Sequence, residues 1–337
     1  MDRRYELDLT RMFACLMVVL LHTAATGWHI DPSLPEWRYY NLADMAARAG
    51  VPLFFMLSGA LFLNRETLDP RRFFLRRTLR LLLLYAVWSS FYALASLLQY
   101  GGGGHDLLRR AAAGHYHLQF LAIQFFLYLL VPVLHSCLHG KKLSERYLLA
   151  LFGLVLLKEH LSLVPNLPDV LQILLDKLNY TYIIYLLYIP LGYWLSRRTY
   201  PRGTRAVCLA VYTAVTLLAA WGNRWYSIRQ GEPKEWLYGY LCAATVIQAV
   251  CIFCFFQTWR GLEVKRPGLL LELSGCTLGV YLFHPFVLET LRSLGISVTM
   301  SVPIKSIPFL VFLVLVICLA AVWGLRRIPG IRKLLSS

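Results

Sequence analysis

Arg11 and His22 bracket a run otherwise made of Met, Phe, Ala, Cys, Leu and Val. Ionisable side chains inside so apolar a stretch are expensive and by default mark function. Eleven positions of α-helix return to within about 20° of the same face and rise roughly 16 Å, about half the thickness of a hydrocarbon core. One helix face therefore carries a guanidinium toward one membrane surface and an imidazole toward the other. That layout suits an anchor for an anionic cofactor at one end and a general base at the other. An unperturbed imidazole titrates at about pH 6.5 and can take a hydroxyl proton at physiological pH. An equally simple reading has Arg11 snorkelling to headgroups and His22 resting at the opposite interface. The two residues by themselves leave both open.

Further positions share the depth or the chemistry. His284, within Tyr281-Leu-Phe-His284-Pro285, lies about fifteen residues into a later apolar block, and His117 opens another. Both fall at a depth comparable with His22, although sequence does not show that they converge. His115 and His117 lack a neighbouring third ligand, so no metal site is expected. Arg71, Arg72, Arg76, Arg77 and Arg80 precede the third apolar block. Such a cluster first of all marks topology, yet Arg76, Arg77 and Arg80 at helical spacing could also hold phosphates by guanidinium forks.

The elements that must position these residues are membrane spans. The 337 residues are 58% hydrophobic and 15% charged, with mean hydropathy +0.55, against nearer half and a quarter in soluble domains. The apolar residues come in blocks close to the ~20 that cross a bilayer, and only helices satisfy the backbone there. Ten spans are expected, near 8–26, 42–63, 79–99, 118–138, 147–164, 179–195, 206–222, 235–257, 269–291 and 306–325. Of the 34 Lys and Arg, 23 lie in alternate gaps, which predicts both termini in the cytoplasm. The expected fold is thus an all-α polytopic integral membrane protein forming one transmembrane domain over 1–337. Gly50-Val51-Pro52 and Ser58-Gly59-Ala60 offer small residues for close helix approach.

Several classes drop out. The net charge of +16 is dispersed in short inter-span clusters with no nucleic-acid module, so the expected partners are anionic ligands and membrane lipids. Eight cysteines are scattered singly apart from Cys251 and Cys254, without a second ligand pair; they read as small buried thiols. Asp2, Glu6 and Asp8 interrupt the basic start, so the first helix is expected to be retained and not cleaved as a signal peptide. The Gly101–Gly104 run lacks a Lys-Ser/Thr continuation and reads as a loop. No internal repeat supports an inverted-repeat transporter.

The chain resembles the acyltransferase-3 family of membrane acyltransferases. Arg11 through His22 matches its R-x10-H signature, and Val51-Pro-Leu-Phe-Phe-Met-Leu-Ser58-Gly59 is similar to its VPLFFxxSG segment. The stretch from Tyr116-His117-Leu-Gln-Phe to Tyr128 and Pro132 resembles its HLWF block, and Tyr281-Leu-Phe-His284-Pro285 its YLxHP block. The blocks keep the family's order over nearly the whole chain. Two departures stand out: Gln119 where the family usually has Trp, and Leu83 where many members have Pro. The resemblance implies a ten-helix domain in a bacterial inner membrane. It would pass an acyl group, usually acetyl, from cytoplasmic acyl-CoA (acetyl-CoA) to a hydroxyl of an extracytoplasmic envelope glycan. It implies that Arg11, Arg76, Arg77 and Arg80 face the CoA and that His22 is the catalytic base or a transient acyl carrier, with Arg11 part of that axis. His117, Tyr281, His284 and Ser58 would shape the acceptor side. No permanently bound cofactor is expected. Two alternatives stay open: a transporter of a small polar solute such as an amino acid, which related membrane domains resemble, and a scaffold for envelope assembly.

Overall fold

The computed structural model describes residues 4–140, 168–177, 180–261, 267–328 and 330, and among them there is helix and no strand. Among the described residues seven stretches are long and apolar enough to cross a membrane: Tyr5–Ala25, Trp37–Phe62, Pro70–Tyr100, Tyr116–His139, Thr204–Gln230, Pro267–Ser293 and Pro303–Leu325. Seven such stretches stand against the ten expected. The 147–164 span lies outside the described residues. The 179–195 span is not one α-helix but a 3-10 segment, Tyr180–Leu187, followed by a short helix, Tyr188–Ser196. Pro190 has no N–H to continue the earlier ladder, so the register changes beside it. The 235–257 span starts late, at Ala243, and covers 15 residues. Gly231 ends the preceding helix at φ +71°, and Tyr238 then turns inward to hydrogen-bond the Asn41 side chain at 2.5 Å. Cys137 is also exposed where a buried thiol was expected.

The helices are α1 (Tyr5–Ala25), α2 (Trp37–Ala47), α3 (Gly50–Phe62), α4 (Pro70–Phe73), α5 (Leu79–Tyr100), α6 (Gly104–Ala113) and α7 (Gln119–His139) in the first part of the chain. Then follow α8 (Asp169–Lys177), α9 (Tyr188–Ser196), α10 (Thr204–Gln230), α11 (Ala243–Gln257), α12 (Pro267–Ser293) and α13 (Pro303–Leu325). They form two compact units, Met1–Leu57 with Leu191–Ser337, and Ser58–Pro190.

In the first unit α1 is central and packs against α2, α11, α12 and α13. Its interior threonines are satisfied within the helix: Thr10 and Thr23 donate to the Glu6 and Val19 carbonyls at 2.7 and 2.8 Å. Gly50 lets α3 approach α1; a Cβ there would lie 2.9 Å from Met17 Cβ and 3.1 Å from the Ala14 carbonyl. Gly192 permits a closer crossing, since its Cβ would meet the Met56 backbone. Leu217, Leu218 and Trp221 on α10 and Phe309, Phe312 and Val316 on α13 are exposed, as lipid-facing positions require.

In the second unit α5 packs against α6 and α7. Asp69 caps α4 by accepting from the Arg71 and Arg72 amides at 2.9 and 3.3 Å, with Pro70 at the first helical position. A π-helical turn, Phe74–Thr78, joins α4 to α5. The glycine run bends the chain between α5 and α6, with Gly101 and Gly102 at φ +74° and +134°.

Candidate active site

His22 and His284 meet inside the first unit. Nδ1 of His22 lies 2.7 Å from Nε2 of His284. The ring centroids are 4.9 Å apart and the planes differ by 10°, so the rings meet edge to edge in nearly one plane. His284 is fully buried; His22 is half-buried.

The local sequence explains how His284 is held. In an α-helix the Tyr281 carbonyl would accept from the N–H of residue 285, but residue 285 is proline. That freed carbonyl lies 2.7 Å from Nδ1 of His284, and the Val280 carbonyl lies 3.2 Å away. A carbonyl only accepts, so Nδ1 of His284 carries a proton. In neutral His284 the lone pair is then on Nε2, which accepts from Nδ1–H of His22. Neutral His22 is left with an unprotonated Nε2, the form a general base needs. Tyr281 thus contributes its backbone, while its buried ring stands 6.1 Å from the His284 ring.

The two helices run parallel and in register. Ser274 Oγ donates to Asp8 Oδ1 at 2.7 Å, Cys15 Sγ contacts the Thr277 carbonyl at 3.5 Å, and the imidazole pair follows. Asp8, Cys15 and His22 recur every seven residues, the spacing of a coiled-coil seam. At the far end Arg11 donates to Asp8 Oδ1 at 3.2 Å and to Ser274 Oγ at 3.4 Å. Its side chain is 18% exposed and that of Asp8 7%, so the guanidinium is aimed by its partners while keeping an outward edge.

The remaining predicted residues belong to the second unit. Arg76 and Arg77 line a basic pocket of about 350 Å³ together with Arg65, Arg72, Thr67 and Asp69. Arg80 is outside that lining, a turn further on. The π turn changes the register between Arg77 and Arg80. Arg65 and Arg77 both stand over the Phe62 ring, at 5.3 and 5.9 Å. Burial, and then the Arg77 charge, push the Arg65 guanidinium below its usual range, which an anion would relieve. The backbone under Arg65 is fixed by α7, since His135 and His139 donate to the Arg65 and Leu63 carbonyls at 2.7 and 2.9 Å.

Ser58 is buried and bonds Gln124 Nε2 at 3.1 Å and Tyr128 Oη at 3.2 Å. His117 is buried, 2.9 Å from His115 through their Nδ1 atoms and edge-on to Tyr92. Gln119 accepts from Lys177 Nζ at 2.7 Å and donates to the Tyr182 hydroxyl; the family's Trp, a donor only, could not accept from Lys177.

Sequence reasoning did not pick out Ser274 or Arg65. The seven-residue spacing of Asp8, Cys15 and His22 could have indicated a shared partner helix. Nothing local marked Arg65, which reaches the pocket through a turn.

Fold and site together define a class: an all-helical, multi-pass membrane protein that keeps two hydrogen-bonded imidazoles inside its bundle. The acyltransferase-3 family profile, described as an acyltransferase domain, matches residues 4–326. The chain belongs to that family and is accordingly a membrane acyltransferase. No curated protein and no solved structure matches it.

Proposed function

We propose that this protein is an O-acyltransferase of a bacterial inner membrane. It moves an acetyl group from cytoplasmic acetyl-CoA to a hydroxyl of an extracytoplasmic envelope glycan, in the manner of the enzymes that O-acetylate enterobacterial common antigen. The observation that carries the reading is the imidazole pair, in which His284 fixes the tautomer of His22 and leaves His22 Nε2 as a base.

In the reaction, His22 Nε2 takes the proton of the acceptor hydroxyl as its oxygen attacks the thioester carbonyl. The carbon–sulfur bond then breaks, and the CoA thiolate recovers the proton from the His22 imidazolium. His284 keeps its proton on Nδ1 throughout and stabilises the imidazolium through its Nε2 lone pair. Arg11, held by Asp8 and Ser274, and the basic pocket of Arg65, Arg72, Arg76 and Arg77 supply cations for the CoA phosphates. Arg80 assists from beyond the pocket. Ser58, His117 and Tyr281 support the acceptor side.

The test uses purified protein in liposomes, labelled acetyl-CoA and a crude envelope glycan-lipid fraction. Labelled acceptor should form, and His22→Ala should abolish it. Uptake of a small polar solute without acetyl-CoA, unaffected by His22→Ala, would instead establish a transporter.

A further inference from the structure

We propose that a small pocket beyond the imidazole pair receives the acceptor, and that Arg292 at its rim selects acceptors bearing an anionic group beside the reacting hydroxyl. The proposal rests on the transferase reading above and adds to it a site and a charge class.

Position is the first argument. The pocket is lined by Thr26, Leu288, Arg292, Ser297, Val298 and Thr299, among others. Thr26, the residue that caps α1, is four past His22, and Leu288 is four past His284 on α12. Four residues are about 6 Å of rise on nearly the same helix face. The pocket thus stands one turn beyond both imidazoles, at the end of α1 opposite Arg11.

The wall is prebuilt. α12 ends in a Schellman turn, with the Ile296 amide donating to the Leu291 carbonyl at 2.9 Å and the Gly295 amide to Arg292 at 3.0 Å. Gly295 takes φ +82°, a conformation that favours glycine. The returning chain is pinned at Val298, whose carbonyl accepts from Ser306 Oγ at 2.6 Å and from Tyr40 Oη at 3.5 Å. Val298 itself is 2% exposed. Ser297 and Thr299 are therefore presented by a fixed turn, their hydroxyls 2.8 Å apart.

The lining determines what fits. It carries three hydroxyl side chains and one cation, and no carboxylate. Hydroxyls complement a sugar edge, and a guanidinium complements a carboxylate or phosphate bidentately. The volume is about 80 Å³, room for two or three waters at about 30 Å³ each. One edge of one sugar enters, and the rest of the glycan stays outside.

The experiment measures transfer of labelled acetyl from acetyl-CoA to the crude glycan-lipid fraction, with methyl β-D-glucuronide, glucose 1-phosphate and methyl β-D-glucoside as competitors. The acidic competitors should inhibit at about tenfold lower concentration than the neutral one, as a charge-assisted pair implies. Comparing the two acids separates a carboxylate-bearing from a phosphate-bearing acceptor. In Arg292→Gln the advantage should fall below about twofold, and Arg292→Lys should restore part of it. Equal inhibition by acidic and neutral competitors, or an advantage untouched in Arg292→Gln, overturns the proposal. If no transfer occurs at all, the transferase reading fails. The pocket is then tested separately by thermal stabilisation of the purified protein, which methyl β-D-glucuronide should produce more than methyl β-D-glucoside, and not in Arg292→Gln. Equal stabilisation by both, or none by either, overturns it.

Discussion

Nδ1 of His22 and Nε2 of His284 lie 2.7 Å apart although the two residues are 262 positions apart in the chain. The contact gives a hydrogen-bond chain its direction: Nδ1–H of His284 donates to the Tyr281 carbonyl and Nδ1–H of His22 donates to Nε2 of His284, which leaves His22 Nε2 unprotonated. The partners should therefore behave as one unit. His22→Ala should lower kcat by about 10²–10⁴, the usual worth of a general base. His284→Ala should lower it less, and the double variant little more than His22→Ala. His284→Gln, which can donate to Tyr281 and accept from His22, should recover part of the loss. Additive single effects in a steady-state assay would separate the two residues.

Pro285 acts through a missing proton. Pro285→Ala supplies an amide to the Tyr281 carbonyl, which competes with Nδ1 of His284. Replacing proline within a helix favours the helix by up to about 3 kcal/mol. The variant should keep or raise its melting temperature while its kcat falls. A kcat that follows stability upward would show that the tautomer lock is not needed.

Asp8 should matter through Arg11. Breaking a largely buried ion pair by removing one partner costs about 3–5 kcal/mol in soluble proteins. Asp8→Ala should accordingly melt earlier. Asp8→Asn, which retains the Ser274 bond, should raise the KM for acetyl-CoA several-fold with a smaller change in kcat. A kinetic split in the opposite sense would place Arg11 nearer the chemistry than the cofactor.

The basic pocket gives a donor-side prediction. Arg65→Gln and Arg77→Gln should each raise the KM for acetyl-CoA about tenfold, the worth of a hydrogen bond to a charged group. The KM for acetyl-pantetheine, which lacks the nucleotide phosphates, should change little. Parallel loss with both donors would show that these arginines act through the fold.

Gly192→Ala tests packing without touching any proposed site residue. Its Cβ would overlap the Met56 backbone, and overpacking of this kind costs about 1–3 kcal/mol. The expected readout is a lower detergent melting temperature.

Membrane residence and helical class were legible in the sequence because burial in hydrocarbon is written locally. A run of apolar residues long enough to cross lipid must be helix whatever its neighbours are. Span boundaries were less legible. Tyr238 reads as part of an apolar block, yet its hydroxyl is drawn to Asn41, 197 positions away. At the site, the sequence marked Arg11, His22 and His284 as costly residues at plausible depths, and the ordered family blocks pointed to acyl transfer. It left open whether His22 was a base or an interfacial residue, since a helix face says nothing about which helix covers it.

Only the tertiary structure put α12 against α1 in parallel register. It aligned Asp8 with Ser274, Cys15 with Thr277 and His22 with His284, and turned a freed carbonyl into a tautomer lock. It also brought Arg65, in the turn after α3, into one pocket with Arg77, which sits on a π turn that periodicity does not encode. Single-residue cost is a property of the local chain. Partnership between residues hundreds of positions apart is a property of packing, and it is packing that gave His22 its imidazole partner.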